Sequence, residues 1–136
     1  LYACVDCDLL ERNLAGDREL ASRAVGALIE ALATATPSGK RNSFAHQTRA
    51  KHLRAEWGRQ QPRSLAGAFF RAVPGSGPDG RDLLDASVAA LAHEADALDR
   101  AYGASCDAME VMDVPSGRGS LRAVKNFAAA RMGADA

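Results

Sequence analysis

The sequence predicts an α+β fold, a sheet with packed helices. Three observations carry this. Two stretches alternate in polarity with period two and a third, 106–114, reads as a strand; two others repeat apolar residues at helical spacing and a last, Ala-rich one reads as a helix; and the two kinds follow one another as strand–helix–strand–helix–strand–helix. Split βαβ units of the ferredoxin or RNA-recognition type use this order with an antiparallel sheet. A small parallel α/β sheet fits the same order, and periodicity does not separate the two. At 136 residues the chain has the size of one ordinary domain, so 1–136 is read as a single unit.

Residues 2–10 alternate, with Ala3, Val5, Cys7 and Leu9 in one row and Tyr2, Cys4, Asp6 and Asp8 in the other, which predicts a half-buried strand. A helix begins after Gly16-Asp17, where Asp17 and Glu19 suit the positive end of its dipole. Its expected buried side is the row Leu20, Ala24, Leu28 and Leu32 beside Ala21, Val25 and Ile29. Pro37-Ser38-Gly39 stops it, and a loop over 40–47 follows. Residues 51–57 alternate again, with Leu53, Ala55 and Trp57 on one face and His52, Arg54 and Glu56 on the other. Ser64 caps a short helix over 64–71, and the Gly- and Pro-rich stretch 74–80 predicts an exposed mobile loop. An amphipathic helix over 82–102 carries the stripe Leu84, Val88, Leu91, Ala95 and Leu98, and Gly103 closes it. Residues 106–114 give a third strand, 115–119 a turn, and 120–132 a last helix.

Apolar residues make up 47% of the chain, which is ordinary for a globular domain, and no apolar run reaches membrane-span length. The three cysteines are an odd number for a disulfide framework. Cys4-Val5-Asp6-Cys7 has the form of a redox or zinc half-site, but a strand sends positions 4 and 7 to opposite faces, so reduced cysteines are expected, two of them packed inside. Gly-x-Ser-x-Gly and His-Glu-x-x-His do not occur, and His46, His52 and His93 are too scattered for a zinc site. No enzyme signature and no cofactor motif is found.

Charge is more informative. The chain is neutral, with 17 basic and 17 acidic residues, yet Lys40, Arg41, Arg49, Lys51, Arg54, Arg59, Arg63 and Arg71 fall in one stretch whose only acid is Glu56. A surface polarised in this way attracts a polyanion at one place. Within the stretch, Lys40, Arg41, Asn42 and Ser43 place two cations, an amide and a hydroxyl after Gly39, which are the donors a phosphate or ribose needs. Arg49, Lys51 and Arg54 extend the track, although Glu56 stands ready to neutralise Arg54. The Arg/Lys-Gly-Phe-Gly-Phe stacking run is absent and only seven aromatics exist, so contact would be to backbone and shape. Phe69 and Phe70 fit one ring in the core and one at a subunit contact. Asp6 and Asp8, on one strand face, are the only candidate metal pair and define the alternative of a metal-dependent nuclease. A second alternative is an interaction domain docking its basic segment on an acidic protein.

Three separated segments resemble one family. PSGKRNSFAHQT followed by QQPRSLAGAFFRAV, the opening YACVDCDLLERNLAGDRELASRAVGALIEALATATPSGKRNSFA, and AMEVMDVPSGRGSLRAVKNFAAA are similar to the backbone subunit of the type I-E CRISPR surveillance complex, Cascade (the CasC family). The resemblance covers nearly all of the chain but only the later part of a family member. With Leu rather than Met at position 1, a carboxy-terminal part is expected. The resemblance implies a modified RNA-recognition-motif core, or a fragment of it with part of the sheet lying upstream. It further implies a cytoplasmic, non-catalytic subunit that binds crRNA, lines up with other copies of itself and other Cascade subunits, and meets target DNA by way of the guide, with no membrane partner.

Overall fold

The computed structural model describes residues 1–35, 48–74 and 82–132. Its elements are α1 (Cys7–Asn13), α2 (Arg18–Thr34), β1 (His52–Trp57), a 3₁₀ helix (Leu65–Phe69), α3 (Leu83–Tyr102), β2 (Ala108–Asp113) and α4 (Leu121–Met132). The class is α+β, compatible with part of an RNA-recognition-motif-like core. The chain divides into two compact units, one holding nearly all of 1–57 and 109–136, the other 58–108.

In the first unit, β1 and β2 pair as a two-stranded sheet. The Val114 N–H donates to the Lys51 carbonyl at 2.9 Å, and His52 meets Asp113, so residue numbers run in opposite directions across the pair and the sheet is antiparallel. The parallel alternative is thereby removed. Helices α2 and α4 pack on each other, α4 also covers β1, and α1 leans on α2. The buried side of α2 is built from small residues, Ala21, Gly26 and Ala33, and the core also holds Val124 and Met132 of α4 and Val111 and Met112 of β2. Small residues let helix axes approach. A Cβ placed on Gly26 would touch Lys125 Cε at 3.8 Å.

The chain start departs from the expected strand. Residues 1–6 are irregular and α1 begins at Cys7, because Asp6 accepts a hydrogen bond from the Leu9 N–H at 2.9 Å and Asp8 sits in the first turn. A capping carboxylate satisfies an orphan amide and the helix dipole together, and this outweighs a short alternation. Asp6 and Asp8 therefore do not form one face of a strand. Cys4 and Cys7 do not sit on opposite faces of one either. Cys4 is exposed, and Cys7 and Cys106 are half-buried, so none of the three is packed fully inside.

Other starts and stops follow the sequence. Asp17 caps α2 through the Leu20 N–H at 2.9 Å, Ser64 caps the 3₁₀ helix through Ala66 N–H at 3.3 Å, and Asp82 caps α3 through Asp85 N–H at 2.9 Å. Gly103 ends α3 at φ +88°. The face of α2 is a correction. Leu20, Ala24 and Leu28 are exposed, and the inward side is Ala21, Val25, Gly26, Ile29, Leu32 and Ala33. The helix is apolar on most sides, so its period did not single out one face. In the second unit the expected stripe of α3 turns inward, with Ala95 1% exposed and Leu84, Val88, Leu91 and Leu98 half-buried. The 3₁₀ helix packs against α3. The predicted loop over 40–47 and residues 75–80 of the predicted mobile loop lie outside the described residues.

Beyond β2 the chain turns at 114–117, and Arg118 returns to pair with Asp113 through two backbone hydrogen bonds of 2.8 and 3.1 Å. Gly117 and Gly119 have φ of +70° and +66°. A Cβ at Gly119 would overlap the Val111 carbonyl, whereas Gly117 has nothing within 4 Å. Gly117→Ala should then cost about 1–2 kcal/mol, the ordinary penalty for a left-handed residue. Gly119→Ala should cost clearly more, because the Cβ also displaces backbone. Urea unfolding of both variants checks this, and equal losses would show that the Val111 approach does not matter.

Candidate nucleic-acid interface

The basic stretch is not one continuous track. Lys40, Arg41, Asn42 and Ser43 lie outside the described residues. In sequence they fall between α2 and β1, whose flanking residues meet at a base closed by a hydrogen bond from Ala50 N–H to the Ala33 carbonyl at 2.9 Å. Arg49 and Lys51 stand at this base, both exposed. Neither side chain has a hydrogen bond or ion pair among the described residues.

The remaining cations divide. Arg54 is half-buried, and its Nε donates to Glu56 Oε1 at 2.6 Å, so the neutralising partner anticipated from the sequence is in place. Arg63 is 9% exposed and belongs to the second unit. It donates to both oxygens of Asp99, at 2.8 and 3.3 Å, and to the Ala95 carbonyl at 3.0 Å. It fastens the chain before the 3₁₀ helix to α3 and serves structure. Arg71 is exposed and lies in the same unit as Arg63. Of the seven residues assigned to the interface, Arg49 and Lys51 are thus brought together as open cations, Arg54 is held by an acid, and four are not described.

His52, read as part of the same polar face, has another task. Its ring Nδ1–H donates to Asp113 Oδ1 at 3.2 Å. Asp113 Oδ2 accepts from the Ser116 amide at 3.3 Å and from the Ser116 hydroxyl. The Ser116 hydroxyl first, and then the His52 ring, hold the Asp113 carboxyl below the usual carboxylate range against the opposing effect of desolvation. The triple pairing ties the end of β1 to the turn after β2. Sequence reasoning missed it, since the partners are 61 residues apart.

No group of three or more His, Cys, Asp or Glu among the described residues is arranged to hold a metal ion. A polar recess in the first unit is lined by Cys7, Asp8, Glu11, Arg18 and Trp57 among others. Within it Arg18 pairs with Glu11 at 3.0 Å, and Arg131 stacks 5.3 Å from the centroids of both Trp57 and Phe127. No described helix is long and apolar enough to cross a membrane.

Apolar surface is the other open feature. Phe69 is 48% and Phe70 89% exposed, so neither ring enters the core and the expected division between the two is corrected. In the first unit Leu20 and Leu28 are 40% and 38% exposed, with Ala24, Ala27 and Ala31 exposed along the same side of α2. These positions recur at three- and four-residue spacing and form a stripe.

Comparison with known proteins places this geometry. The family model described as CT1975-like protein matches residues 1–130. The chain belongs to the CT1975-like family. No curated protein matches. Among solved structures, a chain described as "CRISPR RNA-guided surveillance complex" is similar at 25% identity and a TM-score of 0.73, over 93% of this chain. This CT1975-like chain spans 50% of the length of that one.

The Asp113 pairing makes a pH prediction. Its folded pKa is lower than its unfolded one, so the stabilisation is complete above the unfolded value of about 4 and is lost as pH falls through the folded value. Asp99, lowered by Ser105 and Arg63, and Glu30, lowered by Lys125, carry the same sign. Thermal unfolding should therefore show a falling Tm on acidification below about pH 4. Asp113→Asn should lower Tm at neutral pH and shrink the acid-induced drop. An undiminished drop would assign the acid sensitivity to the other two carboxylates.

Proposed function

We propose that this chain is the carboxy-terminal part of a non-catalytic, crRNA-binding, self-assembling backbone subunit of a type I-E CRISPR surveillance complex. The observation that carries this reading is the likeness, over 93% of the chain, to a chain of a CRISPR RNA-guided surveillance complex. The family match over 1–130 and the resemblance of three separated segments to the CasC family support it. The chemistry agrees with it. Arg49 and Lys51 are exposed cations at the base of the segment that carries Lys40 and Arg41, and they suit phosphodiester contact without base reading. Sequence would then be read by pairing between the guide and target DNA. Other copies of the chain and other subunits would cover the exposed Phe69–Phe70 and the outer stripe of α2, since contiguous apolar surface of this kind marks interaction sites. A cytoplasmic location, with no cofactor and no membrane partner, belongs to the same proposal.

Single-stranded RNA should bind the full chain with strong salt dependence and little sequence preference. Each lost phosphate contact lowers the magnitude of the log–log salt slope by about 0.7. Arg49→Ala with Lys51→Ala should therefore flatten it by about 1.4. Lys40→Ala with Arg41→Ala should do the same. If both double variants keep the full slope, the interface lies elsewhere; binding to an acidic protein in place of RNA would favour the docking alternative.

Assembly is tested by sedimentation with RNAs of increasing length. Copy number should rise with length, because head-to-tail contacts that do not close form an open array. Leu28→Ser with Phe70→Ser should reduce the number of copies per RNA. A fixed dimer at every length would refute the array. Incubation with magnesium or manganese should leave RNA and DNA intact; cleavage lost on Asp6→Asn with Asp8→Asn would revive the nuclease alternative.

A further inference from the structure

The sequence writes the same four-residue pattern twice. Pro37-Ser38-Gly39-Lys40 opens the basic segment before β1, and Pro115-Ser116-Gly117-Arg118 forms the turn after β2. The second copy is fully described. It sits at the end of the sheet where β1 begins, because the Val114 N–H is bonded to the Lys51 carbonyl at 2.9 Å. Arg118 pairs by its backbone with Asp113, which faces His52 across the strand pair. Residues directly opposite in a ladder point to the same side, so His52, Asp113 and Arg118 form one row.

An arginine opposite an aspartate normally pairs with it. Here it does not; the Asp113 oxygens are taken up by His52 at Oδ1 and by Ser116 at Oδ2. The Arg118 side chain is exposed and has no hydrogen bond or ion pair among the described residues. Its backbone is nonetheless fixed. Both its amide and its carbonyl bond to Asp113, and Gly117 and Gly119 on either side take left-handed angles that few other residues adopt. An open guanidinium on a fixed turn loses less freedom on binding than one on a loose loop, and its planar fork matches phosphate oxygens.

We propose that Arg118 is a further backbone-phosphate contact for single-stranded RNA, at the same end of the sheet as Arg49 and Lys51. The inference rests on the RNA-binding reading above and adds a residue that the basic stretch does not contain. Asp113 is needed in this arrangement even though it is acidic, since it shapes the turn that presents Arg118. The contact carries no base preference.

The test uses the full chain and a fluorescently labelled single-stranded oligouridylate, with affinity measured by anisotropy over a range of salt concentrations. Arg118→Ala should reduce the magnitude of the salt slope by about 0.7, and Arg118→Lys should retain it. Because only backbone atoms of Arg118 hold the turn, thermal unfolding of Arg118→Ala should match the unsubstituted protein. An unchanged slope in Arg118→Ala, with a flattened slope in Arg49→Ala and Lys51→Ala, overturns this proposal and leaves the RNA-binding reading standing. Failure of the unsubstituted chain to bind the oligonucleotide overturns both.

Discussion

The pairing of β1 with β2 at His52 and Asp113 is the constraint on which the open end of the first unit depends. Each of its consequences is local. The His52 ring and the Ser116 hydroxyl take up the Asp113 carboxylate, the Lys51 carbonyl takes the Val114 amide, and Arg118 closes back on Asp113 by two backbone bonds. The strand pairing, the turn and the chain just before β1 are thus tied together around Asp113, by its side chain and by backbone bonds. The Ala50–Ala33 bond then sets the end of α2 beside that point. Two chain segments with exposed, unpaired cations, one carrying Arg49 and Lys51 and one carrying Arg118, lie at this end of the sheet.

Packing explains the second feature, the large share of apolar side chains left outside. Helix α2 buries Ala21, Gly26 and Ala33, side chains of almost no volume, and the only large side chain fully enclosed among the described residues is Val124. A seam of small residues brings helices close but yields little transfer free energy, since that scales with buried apolar area. The larger apolar residues of the same helix, Leu20 and Leu28, are on the other side. A helix apolar on nearly all sides is ordinarily an internal one. The exposed side of α2 is therefore apolar surface that the proposed assembly would cover.

Local signals were legible in the sequence. Asp17, Ser64 and Asp82 each cap the helix they precede, and Gly103 ends the helix it follows, because the cost of orphan amides and of left-handed backbone is decided within a few residues. Signals read from period alone fared less well. The alternation at 2–10 competed with a capping carboxylate at Asp6 and lost. The four-residue repeat of α2 named the wrong row, since alanine is equally at home inside and outside. For the interface, composition located the basic stretch but not the fate of each charge. The Arg54–Glu56 pair could be foreseen, because alternate residues on a strand share a face. The Arg63–Asp99 pair could not, because 36 residues separate the partners.

That difference changes how the charge itself should be read. A cluster of cations in sequence is a statement about synthesis order, whereas a polyanion meets only those left unpaired in space. Arg54 and Arg63 are subtracted by Glu56 and Asp99, while Arg118, far from the cluster in sequence, is added by the strand pairing. The field at the end of the sheet therefore comes from fewer charges than the composition implies, but from charges held close to fixed backbone. Paired surface charges cancel within a few ångströms and are screened beyond about 10 Å, so they contribute little to drawing in a phosphate chain. Open cations on anchored turns keep their full attraction and lose little entropy when they bind. Under the proposed RNA-binding role, anchoring of that kind matters more than the number of cations.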